Sequence, residues 1–572
     1  MPYLKKHLIQ SKGYAMVLNA DSDGGELVNR LAQHTGMQVI GLVKTPQSAD
    51  QLRRAFASKN LYGTRVSIQT LTGQLPYRAR CFNLVTSPKA FSGLTSSRVK
   101  SLLRPLTGII WVPGKKDPLY TAPELKGAGE WTHMYADPGN SACSGDTLVG
   151  SSLALQWFGR PGPQHIIDRH LRPPPPLVKN GILVTPGNNY VLTVDAWNGT
   201  ILWEKPIANM RRIGALRDSG NMVLTDDLLY CASGSECLAL DVYTGEEKHR
   251  FSLPTSVSPD THEWGYLASV GSGVIGSSVK KGTVRREMSY TTIYSTAYTD
   301  TTTIAYSDAI FAMDRHDGKL HWTYKAKGGI CNPSIAVSDN KVFFIESRNL
   351  ESLQKTTYRM DYPEFIGKTG GDMVCLDLRN GKELWREPLK APAEIETLFL
   401  LAKGKSIVLC TARNHKAKGA GSVTVHYDIR CYQSTNGRLE WEQTRDHKKR
   451  PNGEHGEQDH HPAIVGDRII AEPYIYNIKT GKEVGRFDRA GYGCGTISAS
   501  ARSLYFRAGN IATFDLEKSE KNTITSVNRT GCWINMIPAS GLLLVPEGSS
   551  GCICGYPVQG SMGFAPSSNA KK

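Results

Sequence analysis

The densest run of ligand-type side chains is Glu454-His455-Gly456-Glu457-Gln458-Asp459-His460-His461. Imidazole and carboxylate groups suit zinc and other transition metals, so Glu454, His455, Glu457, Asp459, His460 and His461 form the candidate metal set. No helical His-x-x-x-His spacing accompanies them, and Gly453, Gly456 and Pro462 mark a loop. A solvated connection between sheets is the alternative reading. Asp168-Arg169-His170 is a second charged group, read as a hydrogen-bond anchor on an entry loop rather than a catalytic set. There is no Gly-x-Ser-x-Gly motif, and the catalytic residues are unknown from sequence.

None of the 12 cysteines forms a Cys-x-x-Cys pair, which argues against covalent c-type haem and a zinc ribbon. Cys231 and Cys237 flank Ala232–Glu236 and are expected to pair across a hairpin. Cys494, Cys532, Cys552 and Cys554 lie beside glycines near the C-terminus. Disulfides there would staple the last sheets and imply an oxidising compartment, with buried free thiols as the alternative.

The elements that must position these groups come from a repeat. Asp195-AWNGTILW-Glu204, Asp241-VYTGEEKHRF, Asp314-RHDGKLHW-Thr323, Asp377-LRNGKELW-Arg386, Gln433-STNGRLEW-Glu442 and Asn477-IKTGKEVGRF share one pattern, with a weaker copy at Asp515. An acidic or polar residue and a turn glycine (Gly199, Gly245, Gly318, Gly381, Gly437, Gly481) predict a tight hairpin with positive φ at the glycine. Trp203, Trp322, Trp385 and Trp441 end returning strands, where an indole can pack between neighbouring sheets. The spacing varies while the unit does not, as in a β-propeller with insertions confined to loops.

Upstream, Tyr14–Ala20, Met37–Val43, Arg65–Thr70, Phe82–Ser87 and Gly108–Pro113 read as strands alternating with helical segments, which predicts a parallel Rossmann-like sheet. Residues 1–126 form this domain and 127–572 the propeller. The front domain resembles class I S-adenosylmethionine-dependent methyltransferases. Its first turn, Asn19-Ala20-Asp21-Ser22-Asp23-Gly24-Gly25, lacks the spaced glycines of that family, and Lys44 stands where the family places a ribose-binding acid. The resemblance therefore implies a degenerate domain.

The repeat resembles that of quinoprotein propellers, which implies a mainly β fold with eight blades. The eighth is expected to use Gly541–Gly548 and Cys552–Val558, with Ser152–Gly159 as its outer strand. The stretch between Phe251 and Ile310 is expected to be a long loop or extra hairpin. Trp131-THMYADPGNSACSGD, LQWFGRPGP and GCWINMIPASGLLLVPEG are similar to a planctomycete group of such proteins, some with a methyltransferase-like front domain. A quinoprotein would carry pyrroloquinoline quinone with Ca²⁺, but its adjacent cysteine pair is missing here. No cofactor is therefore expected, with quinone and Ca²⁺ as the alternative.

Residues 1–126 hold 18 of the Lys+Arg against 6 Asp+Glu, most of the formal +16. This favours a contact with an anionic surface, although no nucleic-acid motif is present. No run is long and apolar enough for a membrane helix, and the first residues do not read as a signal peptide. The resulting expectation is a non-catalytic propeller scaffold that presents loops to a protein or carbohydrate partner. A periplasmic or otherwise exported setting is favoured over a cytoplasmic one. The alternatives are a quinoprotein oxidoreductase or a methyltransferase.

Overall fold

The computed structural model describes residues 12–567 apart from 161, 163, 168–170, 259, 288–302, 391–393, 416–423, 448–459, 488, 490–494, 526–529, 532, 535 and 549–558. The front sheet has β1 (Lys12–Val17), β2 (Gly36–Val43), β3 (Val66–Thr70), β4 (Leu84–Thr86), β5 (Ile109–Trp111) and β6 (Tyr120–Thr121). Their order is β3-β2-β1-β4-β5-β6, parallel except for β6. Helix α1 (Glu26–His34) buries Leu27, Val28, Leu31 and Ala32 against this sheet. Helix α2 (Pro46–Ala57) begins at Thr45, whose hydroxyl accepts from the Ser48 amide as an N-cap.

Behind it stand eight antiparallel four-stranded units. They span residues 177–206, 222–252, 262–331, 336–388, 395–447, 463–486, 498–525 and 537–566, and are numbered here as blades 1 to 8. Blades 3 and 4 are joined through Ile330 opposite Glu346. Blade 8 takes its outer strand, Leu153–Gly159, from the start of the propeller, as the sequence predicts, so the ring closes without an open edge. Two expectations are corrected. The third strand of blade 8 is Gly560–Pro566, and Cys552–Val558 lies outside the described residues. In the stretch between Phe251 and Ile310, His262–Val270 and Gly273–Lys280 are the two inner strands of blade 3, and residues 288–302 lie outside the described residues.

The repeat explains how blades adhere. All six turn glycines have φ between 67° and 75°. Each packs against an aromatic ring of the preceding blade: Trp157 on Gly199, Trp203 on Gly245, Phe251 on Gly318, Trp322 on Gly381, Trp385 on Gly437 and Trp441 on Gly481. Each tryptophan also donates its indole N–H to the carbonyl just after the repeat's acidic or polar residue: Trp157 to Ala196, Trp203 to Val242, Trp322 to Leu378, Trp385 to Ser434 and Trp441 to Ile478. Trp157, on the closing strand, makes the same contact as the repeat tryptophans.

A test follows from this packing. In Gly381→Ala the new methyl would collide with the Trp322 ring at a positive φ. Its expected cost is about 2–4 kcal/mol by urea unfolding. Gly466→Ala, at φ 60° with open space around it, should cost only about 1 kcal/mol. Equal losses in the two variants would refute the docking role.

Candidate functional site

The segment from Gly129 to Asp146 runs once around the inside of the propeller and bonds to the innermost strand region of every blade. The Ser540 N–H of blade 8 donates to Gly129 (2.9 Å), and Trp131 exchanges two 2.8 Å bonds with Val178 of blade 1. Leu224 of blade 2 donates to the Thr132 carbonyl (3.0 Å), and Ser269 of blade 3 to the His133 imidazole Nε2 (3.1 Å). Val337, Ala402, Ile464 and Ala499, of blades 4 to 7, donate in turn to Pro138, Gly139, Ser141 and Ala142 at 2.7–2.9 Å. Inner strands leave one row of amides facing the bore, and here carbonyls of this segment and the His133 imidazole satisfy them.

Local chemistry holds this loop in shape. The Asp137 carboxylate accepts from the Gly139 and Ser141 amides, and Ala136, Asn140 and Ala142 all sit at positive φ. A β-carbon on Gly139 would collide with the Ala402 carbonyl. The fully buried Asp146 carboxylate takes four backbone N–H groups, from Gly129, Gly541 and Leu148 at 2.8 Å and Val149 at 3.0 Å, and so pins both ends of the circuit.

Two histidines are buried beside the loop. Burial lowers the pKa of His133 to about 3, so its Nε2 is the acceptor for Ser269 and its Nδ1 carries the proton toward the Thr132 hydroxyl (2.8 Å). His461 is likewise lowered to about 3 by burial; it stacks on Tyr135 of the loop (ring centroids 3.7 Å apart) and meets Phe399 edge-on. Both values lie below the ordinary 6.5, so between pH 6.5 and 3 the unfolded chain binds protons that the folded chain does not. Stability is thus fully present above pH 6.5 and falls on acidification, by up to about 1.4 kcal/mol per pH unit for each histidine. His461→Phe, which keeps the stack, should flatten the pH dependence of the urea midpoint; an unchanged slope would contradict this.

Of the candidate metal set, only His460 and His461 are among the described residues. Glu454, His455, Glu457 and Asp459 lie outside the described residues, as does Asp168-Arg169-His170. While His461 turns to the ring loop, His460 lies 3.2 Å from Glu472, which is also held by Arg489 at 2.7 Å. His460 and Glu472 border a cleft between blades 5 and 6, with Phe399, Thr411, Tyr427 and Tyr474. No cluster of three metal-ligating side chains occurs among the described residues.

The Cys231–Cys237 disulfide is also corrected. Cys231 lies opposite Leu238 and Cys237 opposite Ala232, so the two thiols face opposite sides of blade 2, and both are free. Cys494, Cys532, Cys552 and Cys554 lie outside the described residues.

The propeller meets the front domain at the amino-terminal ends of its parallel strands. The Lys12 ammonium donates to the Leu202 carbonyl, Asn198 donates to Cys81 and Asn83, and Arg104 pairs with Asp195 at 2.6 Å. The carboxyl-terminal ends, where such sheets bind ligands at the β1/β4 reversal, thus face away from this contact. There the Asp23 carboxylate accepts from the Gly25 and Leu27 amides and occupies the N-terminus of α1, and Lys44 is exposed. No helix among the described residues is long and apolar enough to cross a membrane.

Comparison with known proteins agrees with this architecture. Residues 363–487 match the family model described as outer membrane protein assembly factor BamB. The chain is a β-propeller similar to PQQ-repeat ones in this segment, behind a Rossmann-like domain that resembles S-adenosylmethionine-dependent methyltransferases. Similar solved structures include quinohemoprotein alcohol dehydrogenase from Comamonas testosteroni (12% identity, TM-score 0.44, 76% of this chain and 80% of that one). Hydrazine synthase from Kuenenia stuttgartiensis is similar at 11% identity and TM-score 0.33, over 61% of this chain and 93% of that one. The front domain is similar to a putative sarcosine dimethylglycine methyltransferase from Galdieria sulphuraria (14% identity, TM-score 0.17, 19% of this chain) and spans 43% of that protein's length. No curated protein matches the sequence.

The fold class implies pyrroloquinoline quinone with Ca²⁺ at the axis. The recess beside the ring loop does not fit it, and the ionic groups nearby, Asp218 with Arg359 and Glu263 with Arg286, are paired with one another. This recess on the axis, bordered by His133, Asn140, Leu216, Tyr266, Asn332 and Ile335, contains no carboxylate, lysine or arginine among its lining residues. A calcium ion needs several oxygen ligands, normally including carboxylates, and the tricarboxylate quinone needs cationic partners.

Proposed function

We propose that this protein is a non-catalytic propeller scaffold of the planctomycete quinoprotein-like type, which presents its connecting loops to a protein or carbohydrate partner. The observation that carries the reading is the Gly129–Asp146 circuit. It ties all eight blades to one internal loop, and the recess beside that loop has no charged lining residue to meet a quinone or its calcium. On the same reading the front domain is a degenerate methyltransferase. Its α1 N-terminus is taken by Asp23, and Lys44 cannot accept bonds from ribose hydroxyls. Its basic surface is then free to meet an anionic partner.

The reading is tested by titrating purified full-length chain with pyrroloquinoline quinone in the presence of Ca²⁺, and separately with S-adenosylmethionine. No saturable heat and no dye-linked alcohol oxidation are expected. Stoichiometric binding of either compound would overturn the proposal.

A further inference from the structure

We infer that the axial recess is a binding site for a small uncharged molecule carrying hydroxyl or carbonyl oxygens on a short carbon skeleton. It lies between the ring loop and the connections that enter blades 2 and 4. Two of its lining residues hold polar atoms with no protein partner: the side-chain amide Nδ2 of Asn332 and the hydroxyl of Ser219. Both residues are buried, at 1% and 4% exposure.

The Asn332 side-chain amide has hydroxyl neighbours at one end only. Its Oδ1 lies 2.5 Å from the Ser307 hydroxyl and 3.3 Å from that of Ser277, which leaves Nδ2 as the end without an acceptor. Ser219 is held at φ 79° and ψ 166°, a region that suits glycine and is costly for serine. A serine kept there with an unused hydroxyl is explained if that hydroxyl meets a ligand. A buried donor left unmade is itself destabilising, so the two observations point the same way.

The walls select the class of ligand. Leu216, Leu267, Pro333 and Ile335 supply apolar surface, and no ionised side chain lines the recess. His133, the one titratable imidazole there, is neutral at physiological pH. Anions and cations alike would lose their hydration without gaining a partner. An acceptor oxygen for Asn332 and a second oxygen for Ser219 are what the recess can satisfy, as a short diol or hydroxyketone would.

The test uses full-length protein and ligand-observed NMR with 1,2-propanediol and dihydroxyacetone as probes, and acetate and methylammonium as charged controls. Saturable binding of a neutral probe, and none of either ion, is expected. Asn332→Leu and Ser219→Gly should each weaken it at least about tenfold, the scale of one hydrogen bond to a buried site. Ser219→Gly suits its backbone angles and should raise Tm while it weakens binding, so its loss cannot be put down to misfolding. The inference is overturned if neither neutral probe binds, if the ions bind as well, or if both variants bind like the parent. A crystal structure grown with 1,2-propanediol that shows only ordered water in the recess would also overturn it.

Discussion

Asp146→Ala is expected to remove most of the stability of the propeller. Its carboxylate is fully buried and accepts four backbone N–H groups, two on each oxygen. An alanine leaves four donors unmade, three of them buried and each worth about 1–3 kcal/mol, so the loss should exceed about 3 kcal/mol. A whole domain is commonly stable by only about 5–15 kcal/mol. Asp146→Asn keeps the volume and one acceptor oxygen, and should lose about half as much on the same scale. Urea unfolding followed by tryptophan fluorescence reads both variants. A loss below about 1 kcal/mol in Asp146→Ala would mean that the circuit's ends are held by something else.

The second large effect is expected at the domain junction. Arg104 and Asp195 are 4% and 1% exposed, and the guanidinium also lies over the Trp197 ring at 4.8 Å. Removing one partner of a buried pair strands the other charge, at about 3–5 kcal/mol. Arg104→Met and Asp195→Asn should therefore each be strongly destabilising. The double variant should be less damaging than the two losses added, because neither charge is left behind. Asp195 is also the repeat's own turn residue, since its second oxygen accepts from the Trp197 amide as Asp241 and Asp377 do in their blades. Blade 1 thus uses a repeat carboxylate to dock the front domain. Additive losses in the double variant would deny any coupling across the junction.

How much of this could be read in the sequence depended on the kind of bond involved. The blades were legible because each hairpin needs a glycine at positive φ and each tryptophan needs that glycine's open face. Both requirements leave residues at fixed offsets. The front sheet was legible from its alternation of apolar strands and helices, and Ser152–Gly159 could be placed as the closing strand. The inner half of blade 3 escaped because Gly273–Lys280, GVIGSSVK, is rich in glycine and serine and lies far ahead of its repeat unit. The third strand of blade 8, GSMGFAP, is weak for the same reason.

The ring circuit was not legible at all. Its contacts to the blades run mainly through backbone carbonyls, which impose no side-chain pattern. Only the turn formers Asp137-Pro138-Gly139-Asn140 and the isolated Trp131 hint at it. The opposite happened at His460 and His461. Adjacent ligand-type residues suggested one site, but neighbours on an extended segment turn to different surroundings, and these two do so.

Native-state hydrogen exchange of the amides at Leu224, Ser269, Val337, Ala402, Ile464, Ala499 and Ser540 tests the central claim most directly. Each of these inner-strand groups donates into the Gly129–Asp146 segment. All seven are expected to exchange only through global unfolding, with protection equal to that of the blade interiors and lost together in Asp146→Ala. Exchange at the rate of exposed loops in the parent protein would show that the bore is open and the circuit does not hold the blades.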